Sequence, residues 1–136
     1  MEKSFANYPS LRGKNILITG GASGIGKEIV KAFAKQGSNV AFLDLNAVAG
    51  EELCLDIGKN VFFEKCDLRE VDKLKSSIEK LRSKLGLFDV LVNNAAHDDR
   101  HEWQDVTEEY WDERFATNLR HHFFTIQSVA QDMIKK

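Results

Sequence analysis

Short apolar runs alternate with longer amphipathic segments along this chain, which predicts strands alternating with helices. Four of the runs are short and rich in β-branched or aromatic residues, as buried strands are. They comprise Asn15–Thr19, Asn39–Leu45, Val61–Glu64 and Phe88–Val92.

Four other segments have the apolar spacing of amphipathic helices. The first presents Ile25, Ile29 and Phe33 on one face. The second is predicted over Ala47–Ile57, with Asn46 as its N-cap. Both are therefore expected to pack an apolar face against the strands.

Two later helices are predicted, and the last of them is expected to be long. Asp67 and Glu70 have the spacing of a capping box at the start of the third. Thr107 is a suitable N-cap for the fourth, which is predicted as one uninterrupted helix. The third carries an apolar stripe of Leu74, Ile78, Leu81 and Leu85. The fourth carries an apolar line of Trp111, Phe115, Leu119, Ile126, Val129 and Met133.

The order of these elements is strand then helix, repeated along the chain. This order predicts the α/β class, with a doubly wound parallel sheet of Rossmann type covered by helices on both faces. A complete sheet of this type has two such halves, and four strands with four helices make only the first. We therefore divide the chain into an N-terminal arm, residues 1–13, and one Rossmann domain, residues 14–136.

Composition excludes several classes of protein. The chain has 136 residues, is 43% hydrophobic and 29% charged, and carries a net charge of -2, as ordinary globular domains do. No basic excess favours nucleic acid as a partner, and no apolar stretch is long enough to span a membrane. Cys54 and Cys66 form no CxxC pair, which is typical of reduced thiols in a cytoplasmic protein.

A glycine-rich segment, TGGASGIG, lies between the first strand and the first helix. Glycine clusters occur in many tight turns, but here the cluster stands where a dinucleotide pyrophosphate meets a helix N-terminus. Gly20 permits the turn, Gly24 a close approach of backbone to phosphate, and Gly26 close packing of helix on strand. The other members of this candidate cofactor-binding loop are Ser23 and Ile25.

Asp44 ends the second strand, 44 − 26 = 18 residues beyond Gly26. An acid near this position binds the ribose hydroxyls of NAD and repels the 2′-phosphate of NADP. The alternative is a strand-end aspartate that is merely solvated. No arginine or lysine lies at Ala22, Ser23 or directly after Asp44 to receive a 2′-phosphate. The sequence therefore predicts NAD as the cofactor.

Four motifs in this order resemble the short-chain dehydrogenase/reductase superfamily. They are the glycine loop with Asp44, then Cys66-Asp67-Leu68, then Asn93-Asn94-Ala95-Ala96, then Asn118 in the last helix. The resemblance covers about Lys14 to the C-terminus. It implies that Asp67 accepts a hydrogen bond from the adenine amino group and that Leu68 contacts the adenine.

The resemblance also assigns roles to the two later motifs. Asn94, Ala95 and Ala96 are implied to pass close to the cofactor riboses, and Ala96 stands where the family usually has glycine. Asn118 is implied to anchor a water of a proton relay. The helix pattern alone places Asn118 on the apolar line, where a core amide with satisfied partners is the alternative. His121 and His122, three and four residues after Asn118, are interpreted as packing or surface residues.

A polar cluster, His97-Asp98-Asp99-Arg100-His101, follows the fourth strand, where open α/β sheets bind ligands. It is interpreted as a solvated loop or as a substrate-facing rim, and no metal site is expected. Residues 93–124 resemble NAD-dependent sugar 1-dehydrogenases of the xylose and galactose type. The resemblance implies hydride transfer from an alcohol or sugar, which would be the small-molecule partner.

The superfamily's catalytic Ser and Tyr-xxx-Lys are implied on later elements, which the sequence does not contain. Tyr110 is followed at that spacing by Arg114 and precedes Asn118, so we reject it as the catalytic pair. We therefore expect a fragment or truncated gene product that is inactive alone. The alternative is a non-catalytic nucleotide-binding or interaction module.

Two apolar surfaces lead us to expect a homo-oligomer. In the family's strand order the fourth strand is left as an edge, and unpaired apolar edges promote association. The last helix lies at a subunit interface in the family. We therefore expect pairing through that helix.

Overall fold

The computed structural model describes residues 6–136 and contains one sheet of four parallel strands. The strands are β1 Asn15–Thr19, β2 Asn39–Asp44, β3 Val61–Lys65 and β4 Val90–Asn93. Their order across the sheet is β3-β2-β1-β4, with Ile16 paired to both Val40 and Val90. The predicted first half of a Rossmann-type sheet is confirmed.

Helices cover both faces of this sheet. They are α1 Gly24–Lys35, α2 Ala47–Ile57, α3 Val71–Leu85, α4 Glu108–Phe115 and α5 His121–Lys135. Ile16, Phe42 and Val30 belong to the core beneath α1 and α2, whereas Leu17 and Val129 belong to the core beneath α3 and α5. None of the helices within residues 6–136 has the length and apolarity needed to cross a membrane.

Three predicted strands have shifted boundaries. β2 ends at Asp44 rather than Leu45, because the Asp44 carboxylate accepts the backbone N–H of Asn46 at 3.0 Å and turns the chain. β3 continues to Lys65. β4 begins at Val90 rather than Phe88, whose backbone N–H donates to the Asp132 carboxylate at 3.2 Å instead of joining the ladder.

Two of the three predicted helix caps are confirmed. Asn46 Oδ1 accepts the N–H of Ala49 at 3.1 Å, and Thr107 Oγ1 accepts the N–H of Tyr110 at 3.1 Å. The capping box at Asp67 is wrong. The third helix begins later, with Glu70 in the N-cap position and no side-chain cap bond, because the Asp67 carboxylate is bound by its neighbour Arg69.

The prediction of one uninterrupted last helix is also wrong. A π-helical turn, Ala116–Arg120, separates α4 from α5 and advances the helical phase by one residue. The predicted apolar line is therefore divided, with Val129 fully buried and its earlier members facing solvent. Between residues 111 and 126, five large apolar side chains are about half exposed or more: Trp111, Phe115, Leu119, Phe123 and Ile126. We call these five the outer apolar face.

The described part of the N-terminal arm lies against the end of α1. Gln36 Oε1 accepts the backbone N–H of Tyr8 at 2.8 Å, and Gln36 Nε2 donates to the Ala6 carbonyl at 2.9 Å. Residues 1–5 of the predicted arm lie outside the described residues.

Candidate functional site

A cleft of about 730 Å³ opens at the carboxyl ends of the strands. Every residue that the sequence nominated for cofactor binding lines it. These residues are Gly20, Ser23, Gly24, Ile25, Gly26, Asp44, Asp67, Leu68, Asn94, Ala95 and Ala96. The fold therefore brings together three of the four motifs, whose residues are separated by up to 96 − 20 = 76 positions along the chain.

Glycine is required at two positions of the loop by close backbone packing. Gly20 has φ +70°, and a Cβ there would lie 2.9 Å from the Ala95 Cα. A Cβ on Gly26 would lie 1.8 Å from the Gly20 carbonyl oxygen. Asn94 Nδ2 closes the same turn by donating to the Gly20 carbonyl at 3.0 Å and the Thr19 carbonyl at 3.2 Å. The glycine loop is thus locked onto the end of β4.

The N-terminus of α1 is available to an anion. Ser23 occupies the N-cap position with extended backbone and makes no side-chain cap hydrogen bond, unlike Asn46 at α2. The first N–H groups of a helix have no partner within the helix, and the helix dipole favours negative charge beside them. Ile25, expected to belong to the apolar face of this helix, instead lies exposed at the cleft. The loop therefore fits a phosphate group, with an apolar side chain beside it.

Asp44 connects the glycine loop to the following helix. Its Oδ2 accepts the backbone N–H of Ala22 at 3.0 Å, and its Oδ1 accepts that of Asn46 at 3.0 Å. A carboxylate oxygen can accept more than one hydrogen bond, so the group keeps capacity for ligand hydroxyls. The alternative of a merely solvated strand-end aspartate does not describe this half-buried, doubly bonded side chain.

Asp67 is paired with a cation inside the cleft. Arg69 donates to its Oδ2 from Nη2 at 2.6 Å and to its Oδ1 from Nε at 2.9 Å. These hydrogen bonds lower the pKa of the Asp67 carboxyl, since they favour its charged form. Arg69 also lies 3.8 Å from Glu113 and lines the cleft itself. The carboxylate is held in place by its own neighbour.

Asn118 lies in the π turn, and the structure places it differently from the sequence prediction. It is exposed rather than buried, so the core-amide alternative is wrong. Its Oδ1 accepts the backbone N–H of His97 at 2.7 Å, and its Nδ2 donates to the His97 carbonyl at 2.9 Å. Asn118 does not line the cleft; it holds the residue that follows Ala96 at the cleft wall.

The imidazole of His97 lies between two carboxylates. Glu113 Oε1 is 3.2 Å from its Nδ1, and Asp99 Oδ2 is 2.8 Å from its Nε2. Hydrogen bonds to Glu113 and then Asp99 raise the pKa of His97, because both stabilise the imidazolium. No group of three or more His, Cys, Asp or Glu side chains in residues 6–136 is arranged to hold a metal ion.

Sequence reasoning missed some residues that line the cleft. The polar cluster after β4 does contribute His97 and Asp98, and its position at a strand end was the signal that nominated them. Arg69 lies two residues after Asp67, and this short spacing between opposite charges is the signal that could have identified it. Cleft residues without any local signal are Leu45, Glu113 and Thr117. Glu113 and Thr117 reach the cleft only because α4 and the π turn, respectively, pack beside the loop after β4.

Comparisons with known proteins agree on the family. The model of the short chain dehydrogenase family matches residues 14–136. The chain is 46% identical over 132 residues to a probable galactose dehydrogenase of Rhizobium meliloti, covering 94% of this chain and 52% of that protein. It is 43% identical over 136 residues to a D-xylose 1-dehydrogenase of Caulobacter vibrioides, and the match covers 98% of this chain and 53% of that protein. The chain therefore spans about half the length of the curated relatives it matches.

Solved structures show the same architecture. An aldohexose dehydrogenase of Thermoplasma acidophilum in ligand-free form matches with a TM-score of 0.83 and 25% identity, over 96% of this chain and 48% of the other. A 3-ketoacyl-(acyl-carrier-protein) reductase of Brucella melitensis complexed with NADH matches with a TM-score of 0.84 and 28% identity. The match covers 90% of this chain and 51% of the other.

Proposed function

Because the chain belongs to the short-chain dehydrogenase family, we propose that it forms the cofactor-binding portion of an NAD-dependent oxidoreductase. The observation that carries this proposal is the cleft itself, which joins a glycine loop, an uncapped helix N-terminus and a strand-end carboxylate. These are the three elements that hold the pyrophosphate and ribose of a dinucleotide in Rossmann folds.

Each part of the cleft suits one part of NAD. The glycine loop, with Gly20, Ser23, Gly24, Ile25 and Gly26, would hold the pyrophosphate at the start of α1. Asp44 would accept hydrogen bonds from the ribose hydroxyls on the adenine side. We call this side, with Asp44, Asp67 and Leu68, the adenine end.

The opposite side of the cleft would take the nicotinamide half. It is formed by Asn94, Ala95 and Ala96 after β4, and by His97, which Asn118 holds. We call it the nicotinamide end. The bound cofactor would supply the hydride acceptor, and the chain's own residues position it. Asn118, exposed beside this end, is proposed as the residue that anchors a water for proton transfer.

The proposed substrate is an alcohol or sugar. Relatives named as galactose and D-xylose dehydrogenases support a sugar, and the polar side chains of His97 and Asp98 at the cleft suit its hydroxyl groups. The 136-residue sequence contains no Tyr-xxx-Lys, so we propose that this polypeptide binds cofactor without turning over substrate. Two unpaired cysteines, Cys54 and Cys66, support a cytoplasmic location.

We expect NAD to bind at least about tenfold more tightly than NADP. The reason is the Asp44 carboxylate, which would repel a 2′-phosphate dianion placed beside it. Asp44→Ala should bring the two dissociation constants towards each other. Isothermal titration of each nucleotide against the folded chain and the variant measures the ratio.

A matched control separates this effect from a general change of charge. Asp56→Ala removes the same charge from α2, where Asp56 is exposed and lies 3.6 Å from Lys31. It should leave the ratio of the two dissociation constants unchanged. Equal affinity of the unmodified chain for NAD and NADP contradicts NAD preference, and absence of binding by either contradicts the proposed function.

We further propose that two copies of the chain pair through the outer apolar face. The five side chains are 45% to 61% exposed and lie within residues 111–126. Concentrations of exposed apolar side chains mark association sites. Ile126→Glu should shift the chain towards monomer in sedimentation velocity at micromolar concentration. Leu55→Glu, an equally drastic change at a side chain on α2 that is 85% exposed, should not. A chain that is monomeric before any substitution would refute the pairing.

A further inference from the structure

A histidine is completely buried behind the nicotinamide end of the cleft. His121 is 0% exposed and is the first residue of α5, directly after the π turn. Its Nδ1 is hydrogen-bonded to the Thr117 carbonyl, and its Nε2 lies 3.3 Å from the Thr19 hydroxyl. A buried imidazole with both nitrogens engaged links two segments that are about a hundred residues apart in sequence.

The Thr19 hydroxyl fixes which nitrogen of His121 carries the proton. Thr19 Oγ1 already accepts the backbone N–H groups of Asn94 and Ala95, each at 3.1 Å. These two bonds use both acceptor sites of the hydroxyl, so its own proton must donate. The acceptor is His121 Nε2, which leaves Nδ1 to donate its proton to the Thr117 carbonyl.

A neutral ring is consistent with the surroundings of His121. Burial, with a smaller effect of the neighbouring His122, lowers the pKa of His121 to about 4. The ring is therefore uncharged at ordinary pH and can bridge a donor and an acceptor. The π turn also makes the bond from the ring possible. In this turn the backbone N–H of His121 donates to the Ala116 carbonyl, so the Thr117 carbonyl is left to accept from the His121 ring.

We propose that His121 is a positioning residue for the nicotinamide end of the cleft. Through Thr19 it fixes the Asn94–Ala95 backbone, and through the Thr117 carbonyl it fixes the turn that carries Asn118. The Asn94–Ala95 backbone and the turn that carries Asn118 are thereby held in a fixed position relative to each other. The assignment of this end to nicotinamide rests on the proposed function, whereas the hydrogen-bonded chain does not.

His121→Phe tests the proposal, because phenylalanine fills the same space without either hydrogen bond. The variant should weaken NAD binding about tenfold while changing AMP binding less than about threefold, since AMP occupies only the adenine end. A general loss of protein stability would instead weaken the binding of both ligands to a similar extent. His121→Gln, which can still accept from Thr19, should recover part of the NAD affinity.

His122→Phe is the matched control. His122 is half-buried, and its ring packs edge-on against His121 at 4.3 Å between centroids. This control should leave the ratio of NAD to AMP affinity unchanged. An equal effect of His121→Phe on both ligands, no effect on NAD, or the same effect from His122→Phe overturns the proposal.

Nuclear magnetic resonance of the chain without nucleotide gives a readout that is independent of cofactor binding. The ¹⁵N signals of His121 should show a neutral ring with its proton on Nδ1, and His121→Phe should shift the amide signals of Asn94 and Ala95 and speed their hydrogen exchange. If neither NAD nor AMP binds, the proposed function fails while these signals still decide the role of His121. A proton on Nε2, or unchanged amide signals in the variant, overturns the proposal.

Discussion

Gly26→Ala is expected to raise the dissociation constant for NAD by at least about 100-fold, or about 2.7 kcal/mol. The new Cβ would lie 1.8 Å from the Gly20 carbonyl oxygen and 2.6 Å from Asn94 Nδ2. The first of these atoms is backbone and cannot rotate away. The loop must therefore open where the pyrophosphate would bind, and the Asn94 amide that closes it must move as well.

The same overpacking should lower the free energy of unfolding by roughly 1–3 kcal/mol. Gly50→Ala separates this loss from the effect on binding. Gly50 lies in α2, and a Cβ there would meet the Phe63 ring at 2.5 Å, with neither residue lining the cleft. Gly50→Ala should be destabilised yet bind NAD with unchanged affinity when folded. A Gly26→Ala protein that binds NAD as tightly as the unmodified chain would show that the loop does not hold the pyrophosphate.

Asp132→Ala is expected to cost about 3–5 kcal/mol of stability, a large part of the ~5–15 kcal/mol that holds a domain folded. Asp132 is 5% exposed, and its Oδ2 accepts from Arg82 Nε at 2.8 Å and from the Phe88 N–H at 3.2 Å. Arg82 also donates to the Ser128 carbonyl at 2.6 Å. Removing the carboxylate leaves a largely buried guanidinium and a buried N–H without this partner.

Urea unfolding of the variant and two companions tests this expectation. Asp56→Ala breaks only the exposed contact with Lys31 and should cost less than about 1 kcal/mol. Arg82→Leu combined with Asp132→Leu should recover much of the loss, because an apolar pair leaves no buried charge unpaired. A cost below 1 kcal/mol for Asp132→Ala would mean that this ion pair does not hold α5 against α3.

Local patterns in the sequence were enough for much of the fold. The apolar run of β1 and the capped helix α2 have the bounds that the sequence predicts, because their signals lie within a few residues of the structure they specify. The glycine loop was also located correctly, since its position between a strand and a helix is itself a local pattern. The family resemblance supplied the strand order, which periodicity alone does not encode.

Local patterns did not predict which of two possible hydrogen-bond partners a polar group takes. Asp67 has the spacing of a cap, yet it binds Arg69, which offers a charged donor two residues away. Phe88 has strand composition, yet its N–H is taken by Asp132 from a helix 44 residues later. In each case the observed partner replaces the bond that local spacing favours. The sequence does not show which possible partner lies nearer in space.

The sequence by itself determined the α/β architecture of this protein and the place of the glycine loop and Asp44, because strands, helices and glycine turns follow from short-range periodicity and backbone sterics. The family resemblance added the other predicted cleft residues, which are Asp67, Leu68, Asn94, Ala95 and Ala96. The tertiary structure alone decided how those residues are held. It placed the π turn at Ala116–Arg120 and left Asn118 exposed, with its side chain hydrogen-bonded to the backbone of His97. It also brought the Thr19 hydroxyl within hydrogen-bonding distance of the buried His121 ring. These contacts depend on packing helices against a sheet, so the partners of each polar group are fixed by proximity in space rather than by spacing along the chain.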